Sequence, residues 1–107
     1  MDKREFLRCN VNLDVRYRIL ESLESYKNTT SEDMSEKGVR VNLPEYVEPE
    51  TRLELTIRLP GELRPITAIG RVAWVKKDPI GSFFTTGVHL VHIRKSDRER
   101  FYKYAFF

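Results

Sequence analysis

The chain has 107 residues, of which 40% are hydrophobic and 33% charged, with a single cysteine. This composition predicts one folded domain and excludes a disordered, collagen-like or disulfide-stapled chain. The net charge of +3 is too small by itself to specify a nucleic-acid-binding protein. No apolar run is long enough for a membrane span and the start lacks the apolar stretch of a signal peptide, so we expect a cytoplasmic protein.

The chain begins with a basic stretch. Lys3, Arg4 and Arg8 precede the first alternating segment, and only Phe6 and Leu7 are available there to anchor the backbone. We therefore expect residues 1–8 to form a flexible arm that carries the arginines.

Strands are predicted wherever apolar and polar residues alternate with a period of two. The first runs from Cys9 to Ile19, and its odd positions from Val11 onward are expected to face inward. A weaker strand from Tyr26 to Glu32 can pair back on it. Further strands are predicted over residues 39–43, 53–59, 66–75 and 84–91, and the odd positions from Leu53 to Leu59 are also expected to face inward. Trp74 is in phase with Val72, so we expect it to pack in the core.

The period changes near the end of the chain. Ser96 precedes Asp97, Arg98 and Glu99, which predicts a capped helix over residues 96–107. Six strands followed by one helix favour an all-β fold, a six-stranded antiparallel β-barrel over residues 9–93 with a short C-terminal α-helix. Residues 1–107 are then a single domain.

The sequence offers little for catalysis. His89 and His92 are the only histidines, and a separation of three residues puts them on opposite faces of a regular strand, so we predict no metal site. Cys9 is on the apolar side of its strand and is expected to be a buried hydrophobic residue. Without a phosphate-binding loop, a nucleophile elbow or a carboxylate pair, we predict a binding domain that is not an enzyme and needs no cofactor.

Two short motifs remain. Arg4 and Arg8 form an R-x-x-x-R pair before the first strand, and residues 33–38 form D-x-S-x-x-G between two predicted strands. Taken alone, the first is an ordinary solvated terminus and the second an ordinary turn, because Asp and Ser bond neighbouring backbone groups.

Together and in this order, the two motifs resemble the PilZ domain family of bacterial receptors for cyclic di-GMP. The segment Gly70-Arg71-Val72-Ala73-Trp74 is similar to the family's G-x-V-x-W strand, and residues 87–93 and 97–101 fit its closing strand and helix. Two positions depart from the family pattern. Lys3 stands where arginine is common, which leaves the number of bound ligands open, and Cys9 stands where valine is usual.

The resemblance implies a split barrel that binds cyclic di-GMP through Arg4, Arg8, Asp33, Ser35 and Gly38, with Lys3 and Arg40 as weaker candidates. The chemistry agrees with this assignment. Arginine forks suit phosphate and the O6/N7 edge of guanine, and Asp33 can accept from guanine N–H donors. Lys3 keeps the charge but loses the fork, so it is expected to contact phosphate.

The expected function is a signalling receptor, with the family's role in motility and biofilm regulation. Ligand binding would order the arm and alter a surface for a protein effector, whose identity the sequence does not give; monomer and dimer both remain open. One alternative is a PilZ-like adaptor that binds a protein and no nucleotide. Another is a small basic barrel for single-stranded nucleic acid. That function needs aromatic residues exposed on a strand face beside a basic groove, whereas most aromatic residues here are at apolar-phase positions or in the terminal helix. We therefore expect no nucleic-acid partner, and we expect no membrane partner.

Overall fold

The structure is a computed structural model that describes residues 8–10, 12–35 and 37–106; for residues 8–10, 105 and 106 it describes the backbone alone. Within these residues the chain forms seven strands and one helix. They are β1 (Arg8–Asn10), β2 (Asp14–Ile19), β3 (Lys27–Ser35), β4 (Gly38–Leu43), β5 (Arg52–Arg58), β6 (Ile66–Lys77), β7 (Phe84–Ile93) and α1 (Lys95–Phe106).

The strands close into a barrel. Its order is β3-β2-β5-β6-β7-β4, and β4 pairs back with β3, so that every neighbouring pair is antiparallel. The short β1 also pairs with β3, on the edge that β2 occupies further along. The barrel therefore has six strand positions, which confirms the predicted six-stranded antiparallel barrel with a C-terminal helix.

The predicted strand from Cys9 to Ile19 is divided into β1 and β2 by the buried Ser31. The Ser31 Oγ accepts a hydrogen bond from the Leu13 N–H at 2.8 Å, and the Ser31 N–H donates to the Leu13 carbonyl at 2.9 Å. The Asn12 amide donates to the Ser31 carbonyl at 3.2 Å. These bonds fix a one-residue offset in the pairing with β3, and the alternation of the sequence gives no sign of it.

The core is built from one face of each strand. In β2 and β5 the odd positions Val15, Tyr17 and Leu55 are fully buried, as predicted, while the even positions Arg16 and Arg58 face solvent. Val11 lies outside the described residues, and Ile19 is only partly buried. The remaining buried apolar positions of β4 to β7 include Val39, Val41, Leu43, Leu53, Ile57, Ile66, Ala68, Val72 and Val88.

Trp74 does not lie in the core, contrary to expectation. Its side chain is 42% exposed. Val72 pairs with Val88 but Trp74 pairs with Gly87, so β6 contains one extra residue at Ala73. This β-bulge reverses the inward and outward phase, which turns the indole outward.

Helix α1 begins at Lys95, one residue before the predicted cap, because the Arg98 N–H already bonds to the Arg94 carbonyl at 2.9 Å. Ser96 is therefore inside the first turn and does not cap it. Phe101 is buried against the barrel, and Asp97 bonds to Arg100 at 2.8 Å. None of the described helices has the length and apolar character needed to cross a membrane.

Candidate functional site

The D-x-S-x-x-G motif lies where β3 ends and β4 begins. The prediction placed it in a turn after Glu32, but β3 continues through Ser35, so that Asp33 and Ser35 are strand residues. Both are buried, Asp33 with 2% of its surface exposed. A strand fixes the backbone of these two residues more firmly than a turn, because Asp33 is paired on both edges of β3 and Ser35 is paired with β1.

The register of β1 brings Arg8, the last residue of the first motif, next to the second motif. Arg8 lies opposite Ser35, and Asn10 lies opposite Asp33. The last arginine of R-x-x-x-R therefore starts from the same end of the barrel as the second motif, although the two are far apart in sequence. The prediction that residues 1–8 form a flexible arm is wrong for Arg8, which pairs with Ser35 as the first residue of β1. Lys3, Arg4 and the rest of the predicted arm before Arg8 lie outside the described residues.

Gly38 permits close contact between β4 and β7. A Cβ at this position would lie 2.4 Å from the Val88 carbonyl oxygen, a distance that real Cβ atoms do not reach. Its φ is not positive: Gly61 is the glycine with positive φ in the described part of the chain. The requirement for glycine here is thus close approach of two backbones, and not a left-handed conformation.

Asp33 is paired with Arg40, its direct partner across β3 and β4. The Arg40 Nη2 is 2.5 Å from Asp33 Oδ2, and Arg40 Nε is 3.4 Å from Glu32 Oε1. Burying a carboxylate is costly unless it is paired and hydrogen-bonded, so this ion pair explains how Asp33 can lie inside the protein. The structure thus places Arg40 beside the motif, bonded to Asp33.

A shallow groove of about 250 Å³ lies beside Arg40. It has an exposed aromatic ring on one side and several charged side chains around it. Its lining residues are Glu32, Arg40, Trp74, Lys76, Lys77, Asp78, Pro79 and Thr85. An exposed indole next to cations can accept a base on its face and a phosphate nearby.

Sequence reasoning missed the exposure of Trp74 beside this groove. A signal was present, because Val72, Trp74 and Val75 occupy both phases of the strand, and a regular half-buried strand would keep apolar residues to one phase. Such a break marks a bulge, and bulges commonly redirect a side chain next to a binding site.

The histidines are arranged differently from the prediction. His89 and His92 are both exposed, because a register shift between Ile69 and Gly70 breaks the alternation of β7 between them. His89 Nδ1 is 3.4 Å from Arg71 Nη2. Across residues 8–10, 12–35 and 37–106 no group of His, Cys, Asp and Glu side chains is arranged to hold a metal ion.

A second polar cluster, formed by Tyr17, Lys27 and Glu45, connects strands of the barrel. The Tyr17 hydroxyl donates to Glu45 Oε2 at 2.5 Å, and Lys27 Nζ is 2.7 Å from the same oxygen. Burial, together with the neighbouring Glu45, raises the pKa of Tyr17. Burial opposes ionisation of Glu45, but its bonds to Lys27 and Tyr17 outweigh this and lower its pKa. The cluster therefore stabilises a charged glutamate.

Comparison with known proteins agrees with this architecture. A model of the PilZ domain family matches residues 2–107. The structure of the Bacillus subtilis inhibitor of motility (MotI/DgrA) is similar, with 25% identity and a TM-score of 0.82 over 98% of this chain and 50% of that one. The chain thus spans about half the length of that protein.

The PilZ domain of YcgR from Escherichia coli, solved with cyclic di-GMP, has the same fold, with a TM-score of 0.75 at 10% identity, over 98% of this chain and 90% of that one. None of the curated proteins matches the chain by sequence. Since the family model covers nearly every residue, the chain belongs to the PilZ domain family.

Proposed function

We propose that this protein is a receptor for cyclic di-GMP. The observation that carries the proposal is the register of β1 on β3, which puts Arg8 opposite Ser35, two residues from the buried Asp33. Arg8 thus starts from the same end of the barrel as Asp33 and Ser35, which supports a shared ligand site. The YcgR domain, which shares this fold, was solved with cyclic di-GMP.

The ligand is a dianion with two guanines, and each proposed contact binds one of its phosphate or guanine groups. Arg4 and Arg8 supply bidentate forks for phosphate and the guanine O6/N7 edge. Asp33 accepts from guanine N–H donors, and Ser35 bonds a phosphate or a base. Gly38 keeps β4 close to β7 beneath the site. Lys3 contributes charge without a fork.

Trp74 and its groove extend this site. The indole is exposed beside Arg40, with Lys76 and Lys77 nearby, so we propose that it stacks on a guanine while the lysines approach the phosphates. Stacking on an aromatic side chain is worth about 1–3 kcal/mol per base. This assigns Trp74 a binding role in place of the core role predicted from its phase.

The receptor is proposed to act without catalysis, in the cytoplasm, by passing the signal to a protein effector. Ordering of residues 1–7, the part of the predicted arm before β1, would present a new surface to that partner. Similarity to an inhibitor of motility supports an effector in bacterial motility. An adaptor that binds its partner without nucleotide is the competing function.

Titration of the protein with cyclic di-GMP tests the proposal. Trp74 is the single tryptophan of the sequence, so its fluorescence reports binding directly while calorimetry gives affinity and stoichiometry. We expect saturable binding and quenching with cyclic di-GMP, and much weaker binding of GTP and cyclic di-AMP. Absence of cyclic di-GMP binding would leave the adaptor function.

Single-stranded nucleic acid is a second ligand for the same experiment, because the exposed Trp74 beside Lys76 and Lys77 supplies one feature that such binding needs. Sequence-tolerant binding uses several stacked aromatic residues, and this groove holds one. We therefore expect oligothymidine to bind far more weakly than cyclic di-GMP. Equal affinity for the two would contradict the receptor function.

A further inference from the structure

Arg40 connects the buried part of the site with its exposed part. Its Nη2 is 2.5 Å from the carboxylate of Asp33, which is almost fully buried, while the arginine itself is half-buried. The same residue lines the groove that contains Trp74. A substitution of Arg40 therefore alters both the surroundings of Asp33 and the lining of the groove.

An arginine next to a buried carboxylate stabilises its negative charge and also fixes its orientation. Asp33 and Arg40 are direct partners across two strands, so their backbones are fixed and the ion pair limits rotation of the carboxylate. A carboxylate offers about four acceptor positions, so a bond to one arginine does not by itself exclude other donors. The pairing thus orients Asp33 without preventing it from accepting further donors.

We propose that Arg40 is a positioning residue for guanine selectivity, which acts through Asp33. It holds the Asp33 carboxylate where it can accept the N1–H and N2–H donors of a guanine. Adenine has no donor at N1, so a correctly oriented Asp33 distinguishes the two bases. The inference rests on the proposed function, because it assigns a role within the same site.

Two other roles for Arg40 make different predictions. If the ion pair competed with the ligand for Asp33, removing Arg40 would tighten binding. If Arg40 contacted a phosphate independently, its removal would cost the same whether or not Asp33 is intact. A positioning role predicts weaker binding whose cost disappears once Asp33 is changed.

The experiment is a double-mutant cycle of Arg40→Gln and Asp33→Asn, titrated with cyclic di-GMP and with the mixed 3′,3′-cyclic GMP–AMP. We expect Arg40→Gln alone to weaken cyclic di-GMP binding about tenfold or more, as loss of a charged hydrogen bond does. In the Asp33→Asn background the same change is expected to cost less than about twofold. Preference for cyclic di-GMP over the mixed ligand should fall in parallel, which a general loss of folding would not cause.

Two further variants test whether the effect is specific to Arg40 and to its guanidinium group. Arg18→Gln removes a comparable half-buried arginine, bonded to Glu54 at 3.1 Å on the outer face of β2, and is expected to leave binding unchanged. Arg40→Lys keeps the charge with one donor group and should recover part of the selectivity. Thermal unfolding of each variant verifies that the barrel is folded.

The outcomes separate the two proposals. If wild-type protein binds cyclic di-GMP and Arg40→Gln binds as well or better, the positioning role is wrong and the receptor function stands. The positioning role is also wrong if Arg40→Gln costs the same in both backgrounds. If wild-type protein fails to bind cyclic di-GMP, the receptor function is wrong, and this inference with it.

Discussion

The indole of Trp74 lies against the backbone of Gly87, so that a Cβ on Gly87 would be 2.3 Å from Trp74 Nε1. No side chain larger than hydrogen fits beneath the ring at its present position. The exposed tryptophan therefore packs on Gly87, and the bulge at Ala73 orients its ring toward that glycine.

Gly87→Ala is expected to displace the indole and weaken cyclic di-GMP binding in the same direction as Trp74→Ala. The second variant removes the ring entirely and should cost about 1–3 kcal/mol of binding free energy. Calorimetry measures both, and the emission maximum of the single tryptophan reports its displacement. Unchanged affinity in Trp74→Ala would show that the ring does not touch the ligand.

The second prediction concerns Arg8, which lies opposite Ser35. Arg8→Ala is expected to cost about 1–3 kcal/mol of cyclic di-GMP binding, and Arg8→Lys nearly as much, because lysine lacks the bidentate fork. Calorimetric titration decides this. Arg4→Ala and Arg8→Ala proteins that both bind like the parent would show that the ligand occupies a different surface.

The fold was predictable where the alternation of the sequence is regular. In β5 the odd positions from Leu53 to Ile57 are inward and their neighbours outward, since a slip of one residue would expose every apolar side chain. The errors fall at irregular pairings. The division at Ser31, the exposed Trp74 and the exposed His89 and His92 all depend on an offset with a neighbouring strand, which a local pattern does not encode.

The residue types of the candidate site could be predicted from the sequence, but the burial and the contacts that hold them in place could not. The two motifs supply Arg8, Asp33 and Ser35, yet nothing in their spacing indicates that Asp33 is a buried strand residue. Its bond to Arg40 follows from the register of β3 on β4, which includes a shift between Ser31 and Asp33. That shift is a property of the closed barrel, so it became visible only with the fold.

The third prediction concerns acid stability. The pKa of Glu45 is lowered in the folded protein, below its ordinary value of 4.5, because its bonds to Lys27 and Tyr17 outweigh burial. A lowered folded pKa means that this stabilisation is present above the unfolded value and is lost as pH falls through the folded value. Glu45→Gln should therefore unfold more easily at pH 7, with a smaller loss of stability on acidification. Denaturant unfolding at several pH values tests this; an unchanged pH dependence would contradict it.

The last prediction concerns residues 1–8, the predicted arm that carries Lys3, Arg4 and Arg8. Arg8 is already the first residue of β1, so the change is expected before it, over residues 3–7. We expect cyclic di-GMP to bring these three cations onto its two phosphates, with an attraction that exceeds an ordering cost of about 1–2 kcal/mol per residue fixed. The acidic residues near Asp33 attract the same cations without ligand, which would reduce the change. Amide hydrogen exchange from Lys3 to Arg8 measures it, with the buried strand β5 as internal reference. Increased protection on binding supports an order–disorder switch, whereas equal protection with and without ligand would place the switch elsewhere in the protein.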